Sequence, residues 1–246
     1  MTMRPLLLLL ILCAVGPPGL YEAADGADLT TIEHPSYPVE PPPQRAPMQI
    51  YQNYDITTIG DTQVACGIAG EYTVQNWFAR RFYLYEDHGN GITVQSLDFA
   101  VSYLTGDITV DVITYTIPSG VPLLFANLTE KDRRQVHLGV EDVEQWINVP
   151  IDGCGDLGID LVVAISAPDC SLTFVSFYPG ANDAGAFQDA WIASAECGIP
   201  EPIGVSDIGF PDSQTLFVVN GEDTGCIEYP VATKATSWGA VKRLYR

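Results

Sequence analysis

Lysine is nearly missing from this chain: Lys131, Lys234 and Lys242 are the only three in 246 residues. Histidine is as scarce, with His34, His88 and His137 far apart in sequence. Against 31 Asp and Glu stand 11 Lys and Arg, a net charge of −20. Phosphate binding needs Lys and Arg to displace counterions, so this balance argues against nucleic acid and anionic lipid as partners. Such acidity serves solubility first, and would also suit calcium or a cationic partner. Hydrolase and zinc motifs are missing too: there is no G-x-S-x-G elbow, no H-E-x-x-H and no C-x-x-C. The longest apolar run, residues 6–15, is ten residues long. That is too short to cross a hydrocarbon core of roughly 30 Å as a helix.

What is present begins at the N-terminus. Arg4 precedes the run Leu6 to Val15, which is followed by Gly16-Pro17-Pro18-Gly19 and the small-residue exit Ala23-Ala24. This layout predicts a secretory signal peptide over residues 1–24, and hence a secreted protein or one held at the outer cell surface, with no transmembrane span in the mature chain. Cys13 falls inside that segment, and Leu10-Ile11-Leu12 lacks the small residue that lipoprotein processing takes before its cysteine. In an oxidising compartment the remaining cysteines, Cys66, Cys154, Cys170, Cys197 and Cys226, should pair, but five is odd. One is left free or bonds another chain.

Residues 25–60 read as an extended, proline-rich leader. In His34-Pro35-Ser36-Tyr37-Pro38-Val39-Glu40-Pro41-Pro42-Pro43, proline fixes φ and removes N–H donors, which excludes a helix or a central strand. From residue 61 to 226 short runs rich in Val, Ile, Thr, Tyr and Phe alternate with Gly, Asp, Asn and Pro. Strand signals cover residues 76–85, 92–101, 108–116, 123–125, 146–149, 161–165, 172–177 and 216–219. The 92–101 run alternates with one slip, and Glu141-Asp142-Val143-Glu144 reads as a helical turn or a strand break. Many short strands and no long amphipathic helix predict an all-β, antiparallel β-sandwich of jelly-roll type. Residues 227–246 form a basic, aromatic tail. There Trp238, Val241 and Tyr245 fall at helical spacing beside Lys242 and Arg243, as a docking element or as a segment packed on its own domain.

Calcium is the candidate cofactor. It takes six to eight oxygens on a tight loop. One stretch offers Asp152, Asp156 and Asp160 within nine residues, and residues 86–90 offer Glu86, Asp87 and Asn90. Neither matches the EF-hand pattern, and Asp, Asn and Gly dominate ordinary turns for backbone reasons. Asn127-Leu128-Thr129 is an N-glycosylation tripeptide. Trp77, Tyr83, Tyr85, Tyr103 and Tyr115 are available to stack on sugars, although aromatics on strands mostly serve the core. A glycosidase needs two facing carboxylates, which 31 acidic residues supply by chance.

Cys66-Gly67-Ile68-Ala69-Gly70 followed by Asn76-Trp77-Phe78-Ala79-Arg80-Arg81-Phe82-Tyr83-Leu84 resembles the opening of a β-sandwich module of secreted bacterial proteins, C-x-A-G-G then N-x-x-x-R-x-F-x-L. Its closing part is similar to Gly180-Ala181-Asn182-Asp183-Ala184-Gly185, Cys197-Gly198-Ile199-Pro200-Glu201-Pro202 and Ile208-Gly209-Phe210-Pro211-Asp212, so the resemblance spans residues 62–221. It implies an accessory or adhesive role. It also implies that Cys66 pairs with Cys197, that Cys154 and Cys170 form a second bridge, and that Cys226 is the free thiol. The ending Trp238-Gly239-Ala240-Val241-Lys242-Arg243-Leu244-Tyr245-Arg246 resembles short endings of exported proteins in some Gram-negative lineages, which implies sorting or attachment.

Together these readings lead to an exported, non-catalytic module that binds an extracellular or cell-surface carbohydrate or protein. The alternatives are a secreted polysaccharide hydrolase with paired acids, and a structural envelope component joined through Cys226 or the tail.

Overall fold

Leu161-Val162-Val163-Ala164-Ile165 is apolar without alternation, the mark of a strand covered on both faces. In the computed structural model, which describes residues 27–31, 36–60, 63–84 and 91–226, all five side chains are buried. Leu161, Val163 and Ile165 face the main core, while Val162 and Ala164 face a second cluster with Trp77, Ala79, Ile117 and Leu123. The expected signal peptide, the tail with Trp238, Val241, Lys242, Arg243 and Tyr245, and the 86–90 loop lie outside the described residues. Among the described residues no helix is long and apolar enough to cross a membrane.

The strands run in chain order as follows. The first part holds β1 (Asp28–Thr31), β2 (Tyr37–Pro38), β3 (Met48–Tyr51), β4 (Thr58–Ile59), β5 (Val64–Ile68) and β6 (Tyr72–Thr73). The centre holds β7 (Asn76–Phe82), β8 (Ile92–Leu104), β9 (Ile108–Pro118), β10 (Thr129–Leu138), β11 (Gln145–Gly155) and β12 (Ile159–Ala167). The last part holds β13 (Phe177–Pro179), β14 (Ala181–Asn182), β15 (Trp191–Ser194), β16 (Ile199–Gly204), β17 (Gln214–Thr215) and β18 (Phe217–Glu222).

Two antiparallel sheets form the sandwich. One runs β10-β9-β12-β7-β15-β16; the other runs β11-β8-β18-β3, with β13 added on β8. The pairings are nested: β3 with β18, β7 with β12, β8 with β11, and β9 with β10. One long hairpin rolled into two layers gives this nesting, so the chain is an all-β jelly roll. The β15–β16 hairpin widens one sheet beyond β7.

Details follow from side-chain period. In β8, Ile92 and Val94 face the core, and so do Leu97, Phe99 and Val101. The change of phase falls where the β11 and β18 registers both shift, between Val94 and Ser96, so the slip in the sequence is a β-bulge. The edge strand β10 is mostly exposed and carries Glu130, Lys131, Asp132, Arg133 and Arg134, charges that discourage edge-to-edge pairing.

Three sequence expectations change. The sandwich starts before residue 61, because Met48–Tyr51 is the edge strand of the five-stranded sheet and Asp28–Thr31 pairs with β5. Leu123-Leu124-Phe125 is no strand; it enters a 3-10 turn (Phe125–Asn127) beside the outer cluster of the six-stranded sheet, into which Leu123 is buried. Leu172 to Ser176 is a loop, with Leu172 and Phe174 exposed and the following strand beginning only at Phe177.

Candidate functional site

The outer face of the five-stranded sheet is built from residues that alternate away from the core. On β8 these are Ser96, Asp98 and Ala100; on β11, Trp146 and Asn148; on β18, Asn220, with Leu216 just ahead of that strand. The apolar part, Ala100, Leu216 and Trp146, is covered by Val39 and Ile59. The polar part centres on Asp98, which is fully buried and accepts hydrogen bonds from Asn220 Nδ2 at 2.6 Å, Asn148 Nδ2 at 3.0 Å and Arg45 Nε at 3.4 Å. A buried carboxylate needs such partners to offset its lost hydration.

These contacts fasten the proline-rich segment across the sheet. At one end Tyr37–Pro38 pairs with Thr58–Ile59, and the Val39 N–H donates to the Thr57 carbonyl. At the other end Arg45 is held by Asp98, with its backbone N–H on Asn220 Oδ1. Between these anchors the prolines span a cleft of about 740 Å3, walled by residues 38–43 on one side and by Glu144, Gln145 and Trp146 on the other, with Arg45 completing it. Glu144 adopts φ 62°, a left-handed conformation costing a non-glycine residue about 1–2 kcal/mol. Its N–H donates to the Val101 carbonyl at 2.8 Å. Trp146 Nε1, at the same wall, is buried without a hydrogen-bond partner among the described residues. The cleft therefore combines a flat indole, proline rings, two carboxylates and one guanidinium on an anchored frame. That mix of apolar faces and a few polar groups is the usual make-up of a ligand seat.

The expected calcium ligands do not come together. Asp152 lies on β11 with its side chain 88% exposed, near Arg134. Asp156 and Ile159 close a tight hairpin turn, and Asp156 Oδ1 accepts from the Leu157 N–H. Asp160 points into the protein, where Arg81 and Ser119 hold it. Among the described residues no three His, Cys, Asp or Glu are grouped to hold a metal. Of the expected aromatics Trp77 is buried, Tyr83, Tyr103 and Tyr115 are half-buried, and Tyr85 lies outside the described residues. Among the described residues the most exposed rings are Tyr51, Tyr54, Phe125, Phe174 and Phe187. Exposure of that kind has no signal in a single sequence.

Cys66 in β5 is bonded to Cys197, the pairing expected above. The second bridge needs correction: Cys154 bonds Cys226, and Cys170, not Cys226, is the free thiol. Cys154, next to last in β11, is opposite Thr93 of β8, and Cys226 follows β18, whose Glu222 is opposite the same Thr93. Cys154 and Cys170 flank opposite ends of the nine-residue β12, which at about 3.3 Å per residue separates them far beyond the ~4.4–6.8 Å that a disulfide spans. Cys170 is buried, and burial pushes its thiol pKa up, so little thiolate exists at neutral pH. We expect iodoacetamide to label Cys170 slowly in the native protein and rapidly in guanidinium without reductant. Peptide mapping that finds Cys226 labelled instead would reverse the assignment.

No protein-family model, curated protein or solved structure matches the chain.

Proposed function

We propose that this chain is an exported, non-catalytic binding module of the accessory kind, and that its ligand seat is the cleft beneath the proline strap. The observation that carries the reading is the anchored frame: a strap fixed at both ends over a two-sheet core, with Trp146, Arg45, Glu40 and Glu144 presented from it. A pre-formed seat loses little conformational entropy on binding. Two disulfides suit an oxidising compartment, which agrees with export. An extended ligand such as a glycan chain or an extended peptide fits a seat with one flat indole and several acceptors. The test is an array of glycans and peptides probed with wild type and Trp146→Ala. Ligands held by wild type should weaken at least tenfold in the variant, the effect of removing a central aromatic anchor. Equal retention by both proteins, or none by wild type, removes the cleft as the seat.

A second reading rests on Glu40 and Glu144 lining one cleft, since two carboxylates across a sugar are the apparatus of glycoside hydrolysis. Release of reducing ends from an array ligand, abolished in Glu144→Gln, would replace the binding role with a catalytic one.

A further inference from the structure

The two disulfides differ in how solvent reaches them. In the Cys66–Cys197 bond Cys66 is fully buried, and only Cys197 is half-buried. In the Cys154–Cys226 bond both residues are half-buried. Cys154 also lines an open cleft of about 280 Å3, together with Thr93, Lys131, Asp152, Glu222 and Thr224. The cleft gives a thiol in solution a route to Cys154. Its charges are unevenly taken up. Glu222 Oε1 accepts from Gln95 Nε2 at 2.8 Å, and Asp152 lies 4.0 Å from Arg134. Lys131, exposed on β10, has no ion pair and no hydrogen bond among the described residues. A cation with no carboxylate of its own, placed beside a disulfide, favours the thiolates that attack it and leave it.

The bond sits where three segments close on one another. Gly91 leads into β8, Gly155 ends β11 and Gly225 follows β18. A Cβ on Gly91 would come within 2.9 Å of the Cα atoms of both Asp156 and Gly225. Thr93 of β8 holds the segment that leaves β18: its Oγ1 donates to the Gly225 carbonyl and accepts from Thr224 Oγ1 at 2.8 Å. The disulfide reaches past β8 and joins the same segment to β11.

We propose that Cys154–Cys226 is a site of thiol–disulfide exchange, a redox latch on the end of the sandwich, whereas Cys66–Cys197 is a permanent staple. The reductant is a dithiol. One of its thiolates bonds to Cys154 Sγ; the Sγ–Sγ bond breaks, and its electron pair leaves on Cys226 Sγ, which takes a proton from water. The second thiolate then attacks the reductant's own sulfur in the mixed disulfide and expels Cys154 as a thiolate, which is protonated in turn. The protein gains two electrons and two protons, and the dithiol becomes a disulfide. Cys66–Cys197 stays closed throughout, so the sandwich persists while residues 223–226 part from β11.

The experiment treats the oxidised full chain with limiting dithiothreitol in the absence of denaturant. Thiols are trapped with N-ethylmaleimide over time and located by peptide mapping. Cys154 and Cys226 should be trapped about tenfold faster than Cys66 and Cys197, or more. In that half-reduced protein, hydrogen exchange should speed up at residues 149–155 and 217–226 and stay unchanged in β7 and β12. Oxidised glutathione should restore both the bond and the slow exchange. Lys131→Gln, a change at an exposed side chain, should keep the wild-type melting temperature and slow the trapping of Cys154 and Cys226 severalfold. Equal or faster trapping of Cys66 and Cys197 overturns the proposal. Selective reduction that leaves exchange at residues 217–226 unaltered overturns it as well, because the bond would then hold nothing. So does selective reduction that unfolds the whole domain, because the bond would then be a second staple. A Lys131→Gln protein reduced at the wild-type rate would overturn the cleft as the route of attack.

Discussion

Replacing Cys66 and Cys197 together by alanine is expected to remove about 5 kcal/mol of stability, the largest single effect we foresee. The bond joins residues 131 apart, from β5 near the start of the sandwich to the 3-10 turn after β15. In the chain-entropy account, closing a loop of this length confines the unfolded chain by roughly 5 kcal/mol. The Cys154–Cys226 bridge, closing 72 residues, gives roughly 4.4 kcal/mol by the same relation. The native environment of Cys66 adds to the cost of disturbing it: the side chain is fully buried, and Asn76 binds both its N–H and its carbonyl. Urea denaturation of the Cys66→Ala/Cys197→Ala and Cys154→Ala/Cys226→Ala proteins measures both values. A loss below about 1 kcal/mol for the longer loop would show that the unfolded chain is already confined by other means.

The second large effect is expected at Asp160. Its carboxylate meets the Arg81 guanidinium at 2.7 Å, with side chains 1% and 4% exposed, and Ser119 donates to its other oxygen. Arg81 also donates to the carbonyls of Val121 and Pro118 and lies 4.8 Å from the Tyr83 ring centre. Taking away the carboxylate leaves a buried cation short of its counter-charge. Asp160→Ala should therefore cost about 3–5 kcal/mol. The pair as a whole stabilises much less, because both ions give up hydration. Arg81→Met/Asp160→Leu should accordingly recover most of the loss. A double-mutant cycle in urea reads the difference, and a double variant as unstable as the single one would mean that Arg81 acts mainly through the backbone of residues 118–121.

The jelly roll was legible because its strands carry their own burial. The unbroken apolar run in β12 follows from cover on both faces, and the slip in β8 follows from the bulge. Leu172 and Phe174 misled because their composition suits a strand while their place, between β12 and β13, exposes them. Met48-Gln49-Ile50-Tyr51 was hidden by flanking prolines, although an edge strand accepts such neighbours. The second bridge was misread because pairing depends on which strand ends meet, a property of the winding and not of spacing. Of the site, Trp146 stood in a recognised strand, but its partners, residues 38–43, stood in what read as a linker. Arg80 and Arg81 did leave a signal. Two adjacent cations in an aromatic strand must point to opposite faces, and neither face of β7 is free.

The bridge between Cys154 and Cys226 also decides how the domain answers mechanical tension. The last sandwich strand, β18, ends at Glu222, four residues before Cys226. A pull on the chain beyond residue 226 would otherwise peel β18 from β8 and β3, opening one hydrogen-bonded pair at a time. With the bridge closed, the load leaves the backbone at Cys226 and enters β11, on the far side of β8. The strand that closes the roll is shielded from unzipping, and force is spread over the middle of the sheet.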